Sequence, residues 1–325
     1  MELRILIRTI SPLLLATALT ACEKEITVDL PRTEPRVVVE ASIETGKPPF
    51  VMLSRTQNFF DPTSLASIAG SFIQDADVYV DDGFNVVQLD KICSSTIPED
   101  MLEDVALAIG FDPALLANAN ICVWTLLNGT LLGENGRSYR LEVHVEGRTI
   151  TGLTHIPHPV PLDSIWFQLA LQQPNDDSTG YIWARLSDPD TLGNHYRWFA
   201  QRLNKRADGR MKDGTYIAPL FSVFEDRYVN GLSFDFNIGR GRAPYTEAED
   251  EPDEVAGFFK RNDTVAVKFA SIDRNGYRFF DSYANNVVTN GDVFSTPANI
   301  SSNIEGGLGV WIGYGTFLDT VICIP

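Results

Sequence analysis

Short runs of alternating polar and apolar residues, separated by clusters of turn residues, constrain the fold more than any other feature of this sequence. The run Val37–Ile43 is rich in β-branched residues and is followed by a turn cluster at 44–49. Ser138–Val145 alternates and then returns, after a short polar turn, as Thr149–Thr154. Successive side chains of a strand point to opposite faces, so this alternation predicts strands with one buried face. Short strands at this spacing indicate an antiparallel β-sandwich.

A proline-rich segment at 155–161 interrupts the pattern and predicts a boundary between two domains. With 325 residues, the chain is long enough for two domains of ordinary size. We therefore expect an all-β protein, with an immunoglobulin-like or transthyretin-like sandwich at 37–156 and a second β-rich domain at 163–325. The apolar and aromatic content is that of a globular chain.

Two segments depart from the strand pattern. Apolar residues at helical spacing, together with an Asp112-Pro113 pair of the kind that begins a helix, predict a small helical insertion at about 97–119. The run Tyr277–Phe280 fits either a strand or the beginning of a helix that continues through Asn285. The predicted fold is thus β-rich with few helices.

The amino-terminal residues have the layout of a cleaved secretory signal followed by a lipid attachment site. Arg4 and Arg8 precede an apolar run, 10–19, which is too short to span a bilayer because a span needs about 20 apolar residues. The four residues that end at Cys22 resemble the lipobox of bacterial lipoproteins. We predict a signal peptide at 1–21 and acylation of Cys22. The alternative is an ordinary cleaved signal with a cysteine present by chance.

The residues that follow Cys22 indicate where the protein is delivered. The segment 22–36 is charged and contains two prolines, so we interpret it as a tether. Glu23 stands where an inner-membrane retention signal usually places aspartate, which favours the outer membrane. Stable anchoring needs at least two acyl chains. We therefore expect outer-membrane lipid to hold the protein, on either the periplasmic face or the cell surface.

The net charge argues against one class of partner. It is −17 at pH 7, and removal of the signal segment, which carries two arginines and one glutamate, makes it one unit more negative. A strongly acidic surface repels phosphate backbones and anionic lipid headgroups. We expect no nucleic-acid partner, whereas cations, neutral glycans, peptides and other proteins are compatible with this charge.

The cysteines predict one disulfide. Of the four cysteines, Cys22 is assigned to lipid, and in an oxidising compartment two of the other three are expected to pair. We predict the pair Cys93–Cys122, because these residues flank the helical insertion, and Cys323 would then be buried and free. Pairings that involve Cys323 stay open as alternatives.

One acidic loop offers a candidate metal site. Asp188, Asp190 and Asn194 present side-chain oxygens at alternating positions. Calcium needs six or more oxygen ligands, and this loop supplies about three. A turn that begins at Asp188-Pro189 is the competing interpretation, because aspartate caps its own turn. The sequence predicts no cofactor.

Motifs for catalysis are missing from the sequence. Neither Gly-x-Ser-x-Gly nor His-Glu-x-x-His occurs, which leaves serine-hydrolase and zincin mechanisms without support. Carboxylates such as Glu225, Asp226 and Asp235 are the kind that a glycosidase uses in pairs. With 43 acidic residues, neighbouring acids are expected by chance. We therefore predict that the chain is not an enzyme.

The order of several short motifs resembles that of a known family. After the lipobox come Val37–Ala41 before a Gly-x-Pro-Pro turn, His155–Pro157 with Pro161–Ile165, Ser187–Pro189 with Asn194–Arg197, and Ser302–Val310. Over essentially all of its mature length, the chain resembles the Bacteroidetes outer-membrane lipoproteins catalogued as domain of unknown function 4249.

The resemblance implies an accessory role beside a TonB-dependent outer-membrane transporter, and it supplies no catalytic residues to carry over. We therefore expect a non-enzymatic protein that binds a ligand or partners such a transporter. Two alternatives stay open. A surface glycan or peptide hydrolase would show two convergent carboxylates in a cleft, and a structural or adhesion module would show no pocket.

Overall fold

The computed structural model describes residues 34–58, 64–170, 178–242, 257–289 and 299–325. Over these residues the structure is built mainly of strands with few helices, so the predicted all-β class is confirmed. No helix in this part of the chain has both the length and the apolar character needed to cross a bilayer. The predicted signal peptide, the lipidation site and most of the tether lie outside the described residues.

The strands and helices of the described ranges have the following bounds. The strands before the predicted linker are β1 Val37–Glu44, β2 Phe50–Arg55, β3 Asp77–Asp81, β4 Val86–Gln88, β5 Asp90–Cys93, β6 Cys122–Thr125, β7 Ser138–Val145 and β8 Arg148–His155. The strands after it are β9 Ser164–Leu169, β10 Thr179–Ser187, β11 His195–Arg202, β12 Val223–Glu225, β13 Ser233–Asn237, β14 Phe259–Lys260, β15 Thr264–Ile272, β16 Ile304–Glu305 and β17 Leu308–Ile322. The α-helices are α1 Leu65–Ser71, α2 Glu99–Ile109, α3 Pro113–Asn118 and α4 Arg274–Thr289.

In the described part of the chain these strands form three sheets. The central sheet has eight strands in the order β12-β11-β15-β17-β1-β2-β6-β5. A five-stranded sheet, ordered β16-β8-β7-β3-β4, packs on one part of it. A small sheet of β9, β10, β13 and β14 packs on another part. The molecule is therefore layered, with the central sheet common to both layers.

Parallel pairing of β1 with β17 joins distant parts of the chain. Val38 lies opposite Leu308 at one end of this pair. Strands from before the predicted linker (β1, β2, β5 and β6) and from after it (β11, β12, β15 and β17) share the central sheet. The two predicted domains are thus built on one sheet, and Pro35–Pro325 forms one compact unit. The predicted linker at 155–161 begins at His155, the last residue of β8, and from residue 156 it continues toward β9 without regular structure.

The hydrophobic core has parts on both faces of the central sheet. Trp124, Tyr139 and Trp311 are buried between the central and five-stranded sheets. Trp198 and Phe269 are buried between the central and small sheets. A third part of the core lies under α4, and a fourth lies under the helical insertion. The two helical regions therefore cover the face of the central sheet that the five-stranded sheet leaves uncovered.

The predicted helical insertion is present as α2 and α3. α2 ends at Ile109 and is capped by Gly110, whose φ of 80° lies in the left-handed region that favours glycine. α3 begins after Asp112, whose carboxylate accepts a hydrogen bond from the backbone N–H of Ala114 at 2.7 Å, and Pro113 takes the first helical position. The segment at Tyr277, which fitted either a strand or a helix, is helical and lies in α4.

Cys93 and Cys122 form the predicted disulfide, with an S–S distance of 2.00 Å. The two residues lie opposite each other in the antiparallel register of β5 and β6, so the bond closes the helical insertion at its base. Cys323 is a free and buried thiol. Burial raises the pKa of Cys323 to about 12, so this thiol is protonated and unreactive at neutral pH.

Replacement of both Cys93 and Cys122 by alanine is expected to lower the free energy of unfolding by about 3–4 kcal/mol. The bond joins residues 29 positions apart and restricts the unfolded chain accordingly. Urea unfolding followed by tryptophan fluorescence measures the change. Cys323→Ala removes a buried thiol without opening a loop and is the matched control, with a smaller expected effect. A double variant as stable as the parent would contradict this account.

Candidate functional site

A groove of about 1260 Å³ crosses the face of the central sheet that lies away from the five-stranded sheet. Strands β1, β2 and β17 form its floor. The helical insertion forms one wall, and α4 together with residues 218–223 forms the other. Ligand pockets commonly measure about 300–1,000 Å³. The groove therefore has room for an elongated ligand rather than a single ion.

The alternation of β1 determines which side chains form the floor. Val39, Ala41 and Ile43 are buried toward the five-stranded sheet. Because successive side chains of a strand point to opposite faces, Glu40 and Ser42 line the groove instead. The same sequence pattern that predicts the strand thus also places a carboxylate on the groove floor.

A glycine holds β17 close against β1. Gly309 has a φ of 105°, in the left-handed region, and a Cβ atom at this position would lie 2.0 Å from the carbonyl oxygen of Val39. No side chain fits into that space, so both the positive φ and the close contact with Val39 require glycine at this position. The close approach of the two strands makes the groove floor continuous.

One arginine enters the groove from β11. The Nη1 atom of Arg197 donates a hydrogen bond to the hydroxyl oxygen of Tyr314 at 2.7 Å. Its guanidinium carbon lies 3.3 Å from the centre of the Phe280 ring and 4.8 Å from that of Phe199. The Nε atom is buried without a hydrogen-bond partner. No carboxylate of the described residues lies within ion-pair distance of this guanidinium.

The acid beside this arginine is already paired with two lysines. The Oε2 atom of Glu44 accepts a hydrogen bond from Nζ of Lys268 at 3.0 Å, and its Oε1 atom lies 2.9 Å from Nζ of Lys47. Burial lowers the pKa of Lys268, and the carboxylate of Glu44 opposes that shift. Burial also lowers the pKa of Arg197, yet an arginine stays protonated in proteins. The protein around Arg197 therefore carries excess positive charge.

Glu40 supplies negative charge at another point of the groove floor. Water reaches its carboxylate from the groove, while the surrounding protein partly desolvates it and so raises its pKa. Among the described residues no cation is placed to oppose that shift. Arg197 and Glu40 are thus groove-lining charges that have no counter-ion in the described part of the protein. Arg36 also lines the groove, and its Nη2 atom donates a hydrogen bond to the carbonyl oxygen of Gly307 at 3.1 Å.

Exposed apolar side chains form the upper walls. Phe221 is 51% exposed, Leu220 is 45% exposed and Tyr283 is 44% exposed, and Ile109 lies on the opposite wall. Phe221 also has a φ of 59°, a left-handed conformation that is strained for an aromatic residue. Exposed apolar surface and local backbone strain are both common at binding sites. The walls are therefore suited to apolar parts of a ligand.

The predicted metal ligands form structural contacts. The buried carboxylate of Asp188 accepts hydrogen bonds from the hydroxyl of Tyr196 and from the backbone N–H of Gly231. The side-chain amide of Asn194 donates to the carbonyl of Thr191 at 2.7 Å. In the described ranges, no group of three or more His, Cys, Asp or Glu side chains is placed to hold a metal ion. Asp190 therefore belongs to no such group.

The acids considered for hydrolysis are likewise engaged elsewhere. The Oδ2 atom of Asp226 accepts hydrogen bonds from the backbone N–H groups of Gly193 and Asn194, each at 2.8 Å. Asp235 forms a two-point ion pair with Arg185 on the surface. None of these acids lines the groove.

The sequence pattern did not single out Arg197 or Glu40 as site residues. The detectable signal is a charged residue inside a strand whose neighbours are apolar or aromatic. Such a charge points toward water, a partner or a cavity, and the strand pattern alone does not distinguish these cases. The groove exists only in the folded structure, where β1, β11, β17 and α4 surround it.

Comparisons with known proteins identify one family. A family model described as Domain of unknown function (DUF4249) matches residues 23–317. A search of curated proteins finds no match.

Proposed function

Given that this chain belongs to the family described as Domain of unknown function (DUF4249), we propose that it is a non-enzymatic lipoprotein of the outer membrane. In this proposal the protein binds a ligand in the groove and passes it to a TonB-dependent transporter. The proposal has two parts. The amino-terminal sequence supports the outer-membrane location, and the groove supports the binding function.

The observation that carries the binding function is the arginine that lines the groove. Arg197 has no carboxylate partner in the described part of the protein, and one of its nitrogen atoms is buried without an acceptor. A desolvated cation without a counter-ion reduces stability unless something compensates it. Because Arg197 lines an open groove, a ligand anion bound there would supply the missing counter-ion.

The arrangement of acids favours binding over hydrolysis. A glycosidase needs two carboxylates that face one cleft, about 5–9.5 Å apart. The described acids that line the groove are Glu40 and Asp112. The carboxylate of Asp112 caps α3 by accepting from the backbone N–H of Ala114. It is therefore held as part of the helix cap, and Glu40 has no acidic counterpart.

The sequence supports the proposed address. The segment that ends at Cys22 resembles a lipobox, and the charged tether that follows would place the folded part near the membrane surface. A disulfide, which persists in oxidising compartments, is compatible with an envelope location. The acyl chains would hold the protein close to any outer-membrane transporter that it serves.

We expect the full-length protein to co-purify with an outer-membrane transporter. An affinity tag at the carboxyl terminus, chemical cross-linking in intact cells and detergent extraction would allow mass spectrometry of the captured proteins. The expected result is enrichment of one TonB-dependent transporter over its level with an unrelated tagged lipoprotein. Repeated recovery of no barrel protein, with the tagged protein present in the outer membrane, would refute the transporter role.

A further inference from the structure

We propose that the groove binds short peptides with free ends, with the carboxylate of the peptide on Arg197 and its ammonium group on Glu40. This inference rests on the proposed function and specifies the chemical class of its ligand. It depends on two unpartnered charges of opposite sign, on the distance between them, and on the apolar walls beside them.

Arg197 is suited to a carboxylate. Its guanidinium is a planar fork of donors that matches the two oxygens of a carboxylate. Tyr314 takes one donor, and it is the only hydrogen-bond acceptor of this side chain within the described ranges. The Phe280 ring, 3.3 Å from the guanidinium carbon, holds the fork in one orientation. Arg197 lines the groove, and in its partly desolvated surroundings an ion pair is stronger than in open water.

Glu40 is suited to an ammonium group. Its carboxylate lies on the groove floor with access to the groove, and no described cation neutralises it. Partial desolvation favours the protonated acid, so a ligand cation would restore the ionised form. A neutral glycan would use neither Glu40 nor Arg197 as an ion partner. A simple organic acid would leave Glu40 without one.

The strand register separates the two charges by more than the length of one amino acid. Glu40 lies opposite Val310 of β17. Arg197 stands on β11 opposite Ala270 of β15, which in turn lies opposite Thr316, six residues beyond Val310 on β17. Six residues of strand extend about 20 Å, and the two side chains span part of that distance. A single amino acid is too short to contact both charges, whereas an extended peptide of about four residues, at about 3.3–3.6 Å per residue, has a suitable length.

The walls are suited to the side chains of such a peptide. Phe221, Leu220 and Tyr283 on one side and Ile109 on the other present apolar surface above the floor. Contacts of this kind accept many apolar side chains without requiring one shape. The groove is therefore expected to recognise the two charged ends of a peptide and to tolerate variety between them.

The test uses full-length protein in lipid nanodiscs and a synthetic tetrapeptide pool. Each position of the pool is drawn from alanine, leucine, phenylalanine and serine, and the pool is made with free ends, with an amidated carboxyl end, or with an acetylated amino end. Equilibrium dialysis with mass spectrometry measures retention of each pool. We expect free peptides to be retained about tenfold or more over either blocked pool, because each blocked end loses one charge-assisted contact.

Two variants and two matched controls show which protein charge binds which end of the peptide. Arg197→Met is expected to remove the preference for a free carboxyl end, and Glu40→Gln is expected to remove the preference for a free amino end. Arg185→Met and Glu142→Gln remove strand charges outside the groove and should leave retention unchanged. Circular dichroism of each variant checks that it is folded, and the blocked pools test the proposal on the unaltered protein if a variant fails to fold.

Three results would overturn the inference. Equal retention of all three pools would exclude recognition of the ends. If retention requires a free carboxyl end but does not depend on the amino end, the result would indicate an organic acid as the ligand instead of a peptide. Retention of no pool, while the transporter is still captured, would refute the peptide ligand and leave the proposed function standing. Loss of transporter capture as well would refute both.

Discussion

Replacement of Cys22 by serine is expected to remove this protein from the outer-membrane fraction. A serine hydroxyl cannot take the thioether-linked lipid that the lipobox resemblance predicts for Cys22. Each buried methylene of an acyl chain contributes about 0.8 kcal/mol to membrane binding, so loss of the chains removes the basis of anchoring. Fractionation of cells, with metabolic labelling by an alkyne fatty acid, measures both the location and the acylation.

The other cysteines provide the control for this experiment. Cys323→Ser alters a free, buried thiol and is expected to leave both labelling and location unchanged. Persistent labelling of the Cys22→Ser protein in the outer membrane would show that another residue is acylated. Unlabelled parent protein in the cytosol would refute the predicted outer-membrane location, and with it the partnership with a transporter.

Asp213→Asn is expected to destabilise the protein by about 3–5 kcal/mol. Asp213 and Arg202 form a buried ion pair in which Oδ1 and Oδ2 accept from Nη2 at 2.7 Å and from Nε at 3.0 Å. Oδ2 also accepts from the backbone N–H of Arg202 at 2.8 Å. The substitution removes the negative charge that Arg202 meets at two points, and loss of one partner of a buried ion pair costs about 3–5 kcal/mol. Urea unfolding of the variant and the parent measures the difference.

An exposed pair of the same chemistry is the matched control. Asp235 and Arg185 also meet at two points, with distances of 2.6 and 2.9 Å, but on the surface of the small sheet. The Arg185 guanidinium lowers the pKa of Asp235, yet water and salt screen exposed pairs strongly. Asp235→Asn is therefore expected to change stability much less. Equal effects of the two substitutions would show that burial is not the deciding factor.

Local features of the fold are readable from the sequence because they depend on neighbouring residues. Alternation in Val37–Ile43 predicts β1, and its period of two follows from strand geometry alone. The Asp112-Pro113 pair predicts the beginning of α3, because the side chain caps the helix and the proline needs no N–H there. The disulfide follows from two cysteines that flank one local insertion.

The shared sheet and the groove are not readable in this way, because they depend on pairing between distant residues. The proline-rich segment at 155–161 interrupts the local pattern, but no local pattern reveals that β1 pairs with β17 across it. Arg197 contacts Tyr314 and Phe280, which lie far away in the sequence. The sequence therefore shows that a charged residue stands in a strand, but the role of that residue depends on which elements of the fold surround it.

The parallel pair of β1 and β17 has a consequence for the order in which the protein folds. A backbone hydrogen bond from Thr45, just after β1, to Tyr314 joins positions 269 residues apart. Contacts of such long range slow folding, because a large loop must close before they stabilise anything. A chain that emerges amino end first cannot complete its middle layer until β17 has emerged. Until then β1 exposes an unpaired edge, and a chaperone that shields strand edges during folding would increase the yield of the native state.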